Sequence, residues 1–128
     1  IRSEEIKVTT VGSAGVAVGA TNSSAAIFGK IHAIYLDYHT STPATADVTI
    51  TERIGSVDRQ TLHVETNSKT DVVRRPRVVM EDNAEAGVEY AAGFPIYEPY
   101  VIAGQIRVAV AQGDALTDAV VVTVIYEN

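Results

Sequence analysis

Neither cysteine nor tryptophan occurs in the chain, and leucine is confined to Leu36, Leu62 and Leu116. Without cysteine there is no disulfide staple, no thiolate zinc site and no cysteine nucleophile. That absence is compatible with a cytosolic origin. Without tryptophan, a sugar-binding face lacks the large aromatic platform such faces commonly use. Positive charge is scarce as well: ten Lys and Arg stand against sixteen Asp and Glu, a net −6. This disfavours duplex nucleic acid and anionic membrane surfaces, both of which call for a positive field. No apolar run approaches the roughly 20 residues that span a bilayer. The chain begins at Ile1 and its one methionine is Met80, which reads as a processed or trimmed N-terminus with no secretory signal in the residues present.

What is present in quantity is β-branched. Val, Ile and Thr make up about a third of the 128 residues, and such side chains pack well on a pleated strand but are crowded in a helix. With 46% hydrophobic and 20% charged residues, the composition is that of one globular domain spanning 1–128.

Alternation supplies the strands. "EEIKVTTV" predicts a first strand over Glu5 to Val11. The small-residue stretch after it predicts either a weak strand around Val16 to Val18 or an extended N-terminal arm covering 1–28. "KIHAIYLDY" sets Ile34, Leu36 and Tyr38 on one face. "ADVTITERI" does the same with Val48, Ile50 and Ile54, and "QTLHVET" with Leu62 and Val64. Between the first two, "HTSTPATA" is a short, wet, stiff linker, its hydroxyls suited to bonding nearby backbone. "VVRRPRVVM" belongs on a sheet edge or is broken at Pro76, which has no N–H to donate. "EDNAEAGVEYAAGFPIYEPY" reads as a long irregular excursion with aromatic anchors at Tyr90, Phe94, Tyr97 and Tyr100. "GQIRVAVAQG" and "DAVVVTVIY" close the chain; the latter, apolar on both faces, predicts a central strand covered on both sides. The expectation is an all-β fold of about 7–8 short antiparallel strands, as a jelly-roll-like sandwich, a small closed barrel or an immunoglobulin-like sandwich.

No constellation points to catalysis. His32, His39 and His63 are scattered, and a metal site completed by Asp37 or Asp47 lacks ligand spacing. No Gly-x-Ser-x-Gly elbow occurs, and "VGSAGVAVG" lacks the Gly-Lys-Ser/Thr ending of a phosphate loop, so its glycines mark bends. Glu81, Asp82, Glu85 and Glu89 lack the ligand rhythm of a Ca²⁺ loop and read as a solvated turn. The expectation is no catalytic residue, no cofactor and no metal. Two features suit protein contact instead. Arg74, Arg75 and Arg77 crowd one proline, either as a charged edge that resists aggregation or as an interface, where arginine forks carboxylates. The tyrosines of the excursion, with Phe94, are either core plugs or a rigid contact patch.

The segments "GKIHAIYLDYHTSTPATADVTITE", "TNSKTDVVRRPR" and "IAGQIRVAVAQGDALTDAVVVTVIYEN" together resemble the small head decoration (cement) proteins of tailed bacteriophages. The resemblance covers most of the chain after Gly29; Asn83 to Pro99 and the Gly/Ala-rich N-terminus lie outside it. It implies a β-sandwich or jelly roll, made in the bacterial host cytoplasm, that sits on the outer capsid surface. Its partners would be the major capsid protein and other copies of itself, as a homotrimer, with no direct nucleic-acid or membrane contact. The expected docking elements are the N-terminal arm, through Ile6 and Val8, and the Arg74, Arg75 and Arg77 edge, with Tyr97 and Tyr100 as further contacts. Other readings are a tail, head-completion or fibre-associated virion module and a carbohydrate- or ligand-binding sandwich.

Overall fold

The computed structural model describes residues 1–128 and contains strands and turns but no helix. Eight strands build the body: β1 (Arg2–Val8), β2 (Ala17–Asn22), β3 (Ile27–Tyr38), β4 (Asp47–Ile54), β5 (Val57–Glu65), β6 (Val72–Arg74), β11 (Val101–Gly113) and β12 (Val120–Glu127). Four short ones, β7 (Arg77–Val79), β8 (Glu89–Ala91), β9 (Phe94–Pro95) and β10 (Tyr97–Pro99), lie in the excursion between β6 and β11.

All pairings are antiparallel. β1, β12, β3 and β6 lie side by side in one sheet, and β2, β11, β4 and β5 in the other. Counted along the body alone, the first sheet runs first–eighth–third–sixth and the second runs second–seventh–fourth–fifth. This interleaving is the jelly-roll arrangement. The strands do not close into a barrel.

The core lies between the two inner faces. Ile6, Val8, Ile34, Leu36, Val120, Val122 and Val124 come from the first sheet; Val48, Ile50, Leu62, Ile106, Val108 and Val110 come from the second. Burying each such side chain contributes about 1.5–3 kcal/mol, so strand alternation alone accounts for most of the driving force.

The sheets are joined through β11, which changes partner along its length. Val101 to Gly104 pair with Ile27 to Lys30 of β3, whereas Gln105 to Ala111 pair with β4. Gly104 sits at the change, buried against β4; a Cβ there would come within 2.7 Å of the Arg53 carbonyl oxygen. Glu52, also buried, accepts the Ala103 N–H at 2.6 Å and the Gln60 amide at 3.0 Å, satisfying backbone that the switch leaves unpaired.

Several expectations are corrected here. The N-terminus is not an arm: β1 is zipped to β12 over its whole length, and β2 is an edge strand beside β11. The small residues of that stretch let β2 pass close over Thr9, where Gly19 meets its carbonyl. β12 is central, but the side chains facing away from the core (Val121, Thr123 and Ile125) are only half-buried. Of the bulges, those at Leu62 and His32 shift the parity of core positions. Leu62 is skipped in the β4–β5 register, so Glu65 rather than Val64 turns inward. His32 is skipped in the β3–β12 register, which lets both Ile31 and Ile34 face the core. On β4, Ile54 is exposed and Glu52 takes the inward place. The linker's hydroxyls reach far in sequence rather than near: Thr42 donates to the Ala119 carbonyl at 3.1 Å and Thr45 to that of Gln112 at 3.1 Å.

Candidate interaction surface

The segment around Pro76 is both an edge and a break. β6 pairs only with β3, Pro76 is buried at the corner, and β7 leaves the sheet. The three arginines have separate tasks. Arg74 forks the Glu65 carboxylate, Nε to Oε2 at 3.0 Å and Nη2 to Oε1 at 2.6 Å. Glu65 ends β5 in the second sheet, so the pair bridges the gap between the sheets on their open side. His63 adds its Nε2 at 2.5 Å from Glu65 Oε2. The Arg74 hydrogen bonds, with help from His63, hold the Glu65 carboxyl down to about 2. Arg77 donates to the carbonyls of Pro76 at 2.8 Å and His32 at 3.4 Å. Only Arg75 is exposed and without an ion-pair or hydrogen-bond partner. The triplet is therefore mostly structural, the opposite of an open Arg edge, because two of its three heads are spent inside the chain.

Ile6 and Val8 are also withdrawn from any contact role. They are 2% and 0% exposed within the core, where no partner reaches them without unfolding β1. Tyr38 closes the same open side from within. Its hydroxyl is buried and lacks hydrogen-bonding geometry to any partner, and burial pushes the phenol up to about 12, a rise only partly offset by the nearby Ser68 hydroxyl.

The outward-reaching element is the excursion. From Arg77 to Tyr100 no residue is buried, yet the segment is ordered as a folded ribbon. β7 pairs with β10 and β8 with β9, while Met80, Val88 and Ile96 exchange backbone hydrogen bonds at 2.8–2.9 Å. Asp82 Oδ1 accepts the N–H groups of Ala84 and Ala86 and so shapes the turn at the far end. Tyr90, Phe94 and Tyr97 stand 72%, 56% and 58% exposed. The Tyr90 and Phe94 rings lie 5.6 Å apart, tilted by 36°, so each holds the other in place. Tyr100, by contrast, packs against the core and its carbonyl accepts the Ile31 N–H at 3.0 Å, which roots the ribbon. The aromatic residues thus divide: Tyr100 packs against the core, whereas Tyr90, Phe94 and Tyr97 are exposed, the first two in ring contact.

The body also exposes apolar side chains where the ribbon joins it. Beyond Tyr97, Val101 and Ala103 are exposed while Ile102 and Gly104 turn inward. Phe28, opposite Ala103 across the ladder, is exposed too. Val101 also lines a shallow depression of about 340 Å³ with Gly29, Lys30, Glu127 and Asn128.

The histidines have local roles. His63 serves Glu65, His32 lies 3.4 Å from the Glu127 carboxylate, and His39 Nδ1 accepts the Ser41 N–H at 3.0 Å. No protein-family model, curated protein or solved structure matches the chain.

Proposed function

We propose that this chain is a structural virion protein that binds the outer surface of a phage capsid and stabilises the shell by bridging neighbouring major capsid protein subunits. The observation that carries the reading is the pairing of a compact jelly-roll body with an ordered ribbon, Arg77 to Tyr100, in which no residue is fully buried and only Tyr100 packs against the core. An ordered ribbon docks with little loss of chain entropy, unlike a loop that must first be fixed. The resemblance to decoration proteins rests on the strands of the body and supplies the biological setting.

The mechanism is mechanical rather than chemical. A capsid filled with DNA is pressed outward, which tends to part neighbouring subunits. A clip across the seam adds contact area that must be broken first. Copies of the clip joined as a trimer hold several modest contacts at once, so one that lets go rebinds before the others release.

The test is to add purified protein to undecorated capsids and image them, then heat decorated and bare shells in parallel. Regular added density at subunit seams and a later rupture of decorated shells support the reading. Bare shells at saturating protein overturn it. The exposed Tyr90, Phe94 and Tyr97 rings favour one other reading, a carbohydrate-binding sandwich; a specific hit on a glycan array, lost when these rings are removed, would establish it instead.

A further inference from the structure

The ribbon is as distinctive in charge as in shape. Residues 77–100 hold five carboxylates (Glu81, Asp82, Glu85, Glu89 and Glu98) against one arginine, a net −4 within a chain of net −6. None of the five forms a salt bridge; every ion pair in the molecule lies outside the ribbon. Asp82 and Glu89 cap local N–H groups, and these bonds leave their negative charge uncompensated. The same segment carries Tyr90, Phe94 and Tyr97, each more than half exposed. Aromatic anchors inside an unneutralised acidic fringe would be a poor arrangement for an isolated surface. They suit a surface whose partner brings the missing cations.

We infer that the ribbon is the docking element of this protein, and that its partner is a protein surface with Lys and Arg set around an apolar cleft that receives the Tyr90, Phe94 and Tyr97 side chains. This rests on the shell-binding reading and replaces the Arg edge and N-terminus as docking elements. The charge selects the partner class: nucleic acid and anionic lipid are repelled by a ribbon of net −4, whereas a basic protein face is attracted. The rings supply hold once docked, and the carboxylates supply steering and register, so the two contributions separate by salt dependence.

The experiment measures binding of the full chain to shells assembled from the capsid protein encoded in the same genome, over a salt series. Four proteins are compared: the wild type, a Tyr90→Ser/Phe94→Ser/Tyr97→Ser variant, a Glu81→Gln/Glu85→Gln/Glu89→Gln variant, and a Val57→Ser/Val64→Ser control that removes exposed apolar surface from β5. Thermal melts check that all remain folded, as expected for exposed positions. The aromatic variant should lose about 100-fold or more in affinity at every salt concentration. The carboxamide variant should lose about tenfold at low salt and converge on the wild type at high salt. The control should bind like the wild type. Ribbon variants that bind shells as well as the wild type overturn this inference alone. A wild type that fails to bind shells overturns the shell-binding reading, and this inference with it.

Discussion

Glu65 and Arg74 lie on different sheets, and the two-pronged bond between them fastens the edge strands β5 and β6 to each other. Along the chain these strands are joined by the loop from Thr66 to Asp71. The loop is itself pinned: Asp71 accepts the Tyr38 N–H at 2.8 Å and Asp47 accepts that of Asn67 at 2.8 Å.

Acid should therefore undo the fold through Glu65. Its carboxyl titrates near 2 when folded, against 4.5 as the ordinary value, so the unfolded chain takes up the proton first. The contribution is complete above about pH 4.5 and is lost as pH falls through about 2. Its ceiling is about 3 kcal/mol, and nearer 1–2 kcal/mol once solvent screening of the half-exposed Arg74 is allowed for. Urea midpoints from pH 7 to pH 2 should fall in this window for the wild type and fall distinctly less for Glu65→Gln. Equal slopes would remove Glu65 from the account.

Arg74 and Arg75 should differ sharply although they are neighbours. Arg74→Ala leaves the mostly buried Glu65 carboxylate without its fork and should lower the urea midpoint clearly. Arg75→Ala removes an exposed, unpartnered head and should change stability by less than about 0.5 kcal/mol. Chemical denaturation of both variants at neutral pH measures the contrast.

Tyr38→Phe should be neutral or slightly stabilising, because it removes a buried hydroxyl that lacks a partner and keeps the ring in the core. In the wild type, ultraviolet titration of the six tyrosines should leave one phenol protonated until about pH 12. Since the folded value lies above the ordinary 10, this group's contribution is intact below pH 10 and disappears as pH rises through about 12.

Two glycines set where the sheets cross. Gly29 has φ +149, and a Cβ there would fall 2.0 Å from the Glu127 carbonyl oxygen; at Gly104 the clash is with Arg53. Either Gly→Ala change should cost about 3 kcal/mol or more, since backbone on both sides must move. A thermal midpoint within 2–3 °C of the wild type for Gly104→Ala would contradict the close packing at the switch.

Shortening the ribbon should leave the body intact. Replacing Glu81 to Pro95 with an Asn-Gly turn keeps the Met80 N–H to Ile96 carbonyl bond as the closing rung. No buried side chain is removed, so the melting temperature should stay within about 4 °C of the wild type. A collapse in stability would mean that the ribbon supports the core.

The body was legible because inward and outward residues alternate strictly along Ile34 to Tyr38, Gln105 to Val110 and Val120 to Val124. Legibility failed where one extra residue enters a strand. The bulges at Leu62 and His32 leave no mark in hydropathy, yet each reverses every face beyond it, which is why Val64 read as core and Glu65 did not. The N-terminal stretch misled differently: small residues suit a loose arm and a close backbone crossing equally, and only the pairing of β1 with β12 decides between them. Strands of two or three residues such as β8 and β9 are too short to show a period, so the ribbon read as irregular. Of the candidate contacts, Tyr97 is exposed, as its setting among prolines suggests, whereas the burial of Ile6 and Val8 and the pairing of Arg74 needed the third dimension.

One consequence follows from β11 belonging to both sheets. The ribbon's last strand leads through Tyr100 straight into Val101, so a tug at Tyr97 is delivered along the axis of a thirteen-residue strand. That strand is laddered to β3, β4 and β2, and its rungs must slide together rather than peel one after another. A load along that strand is thus shared among three neighbouring strands.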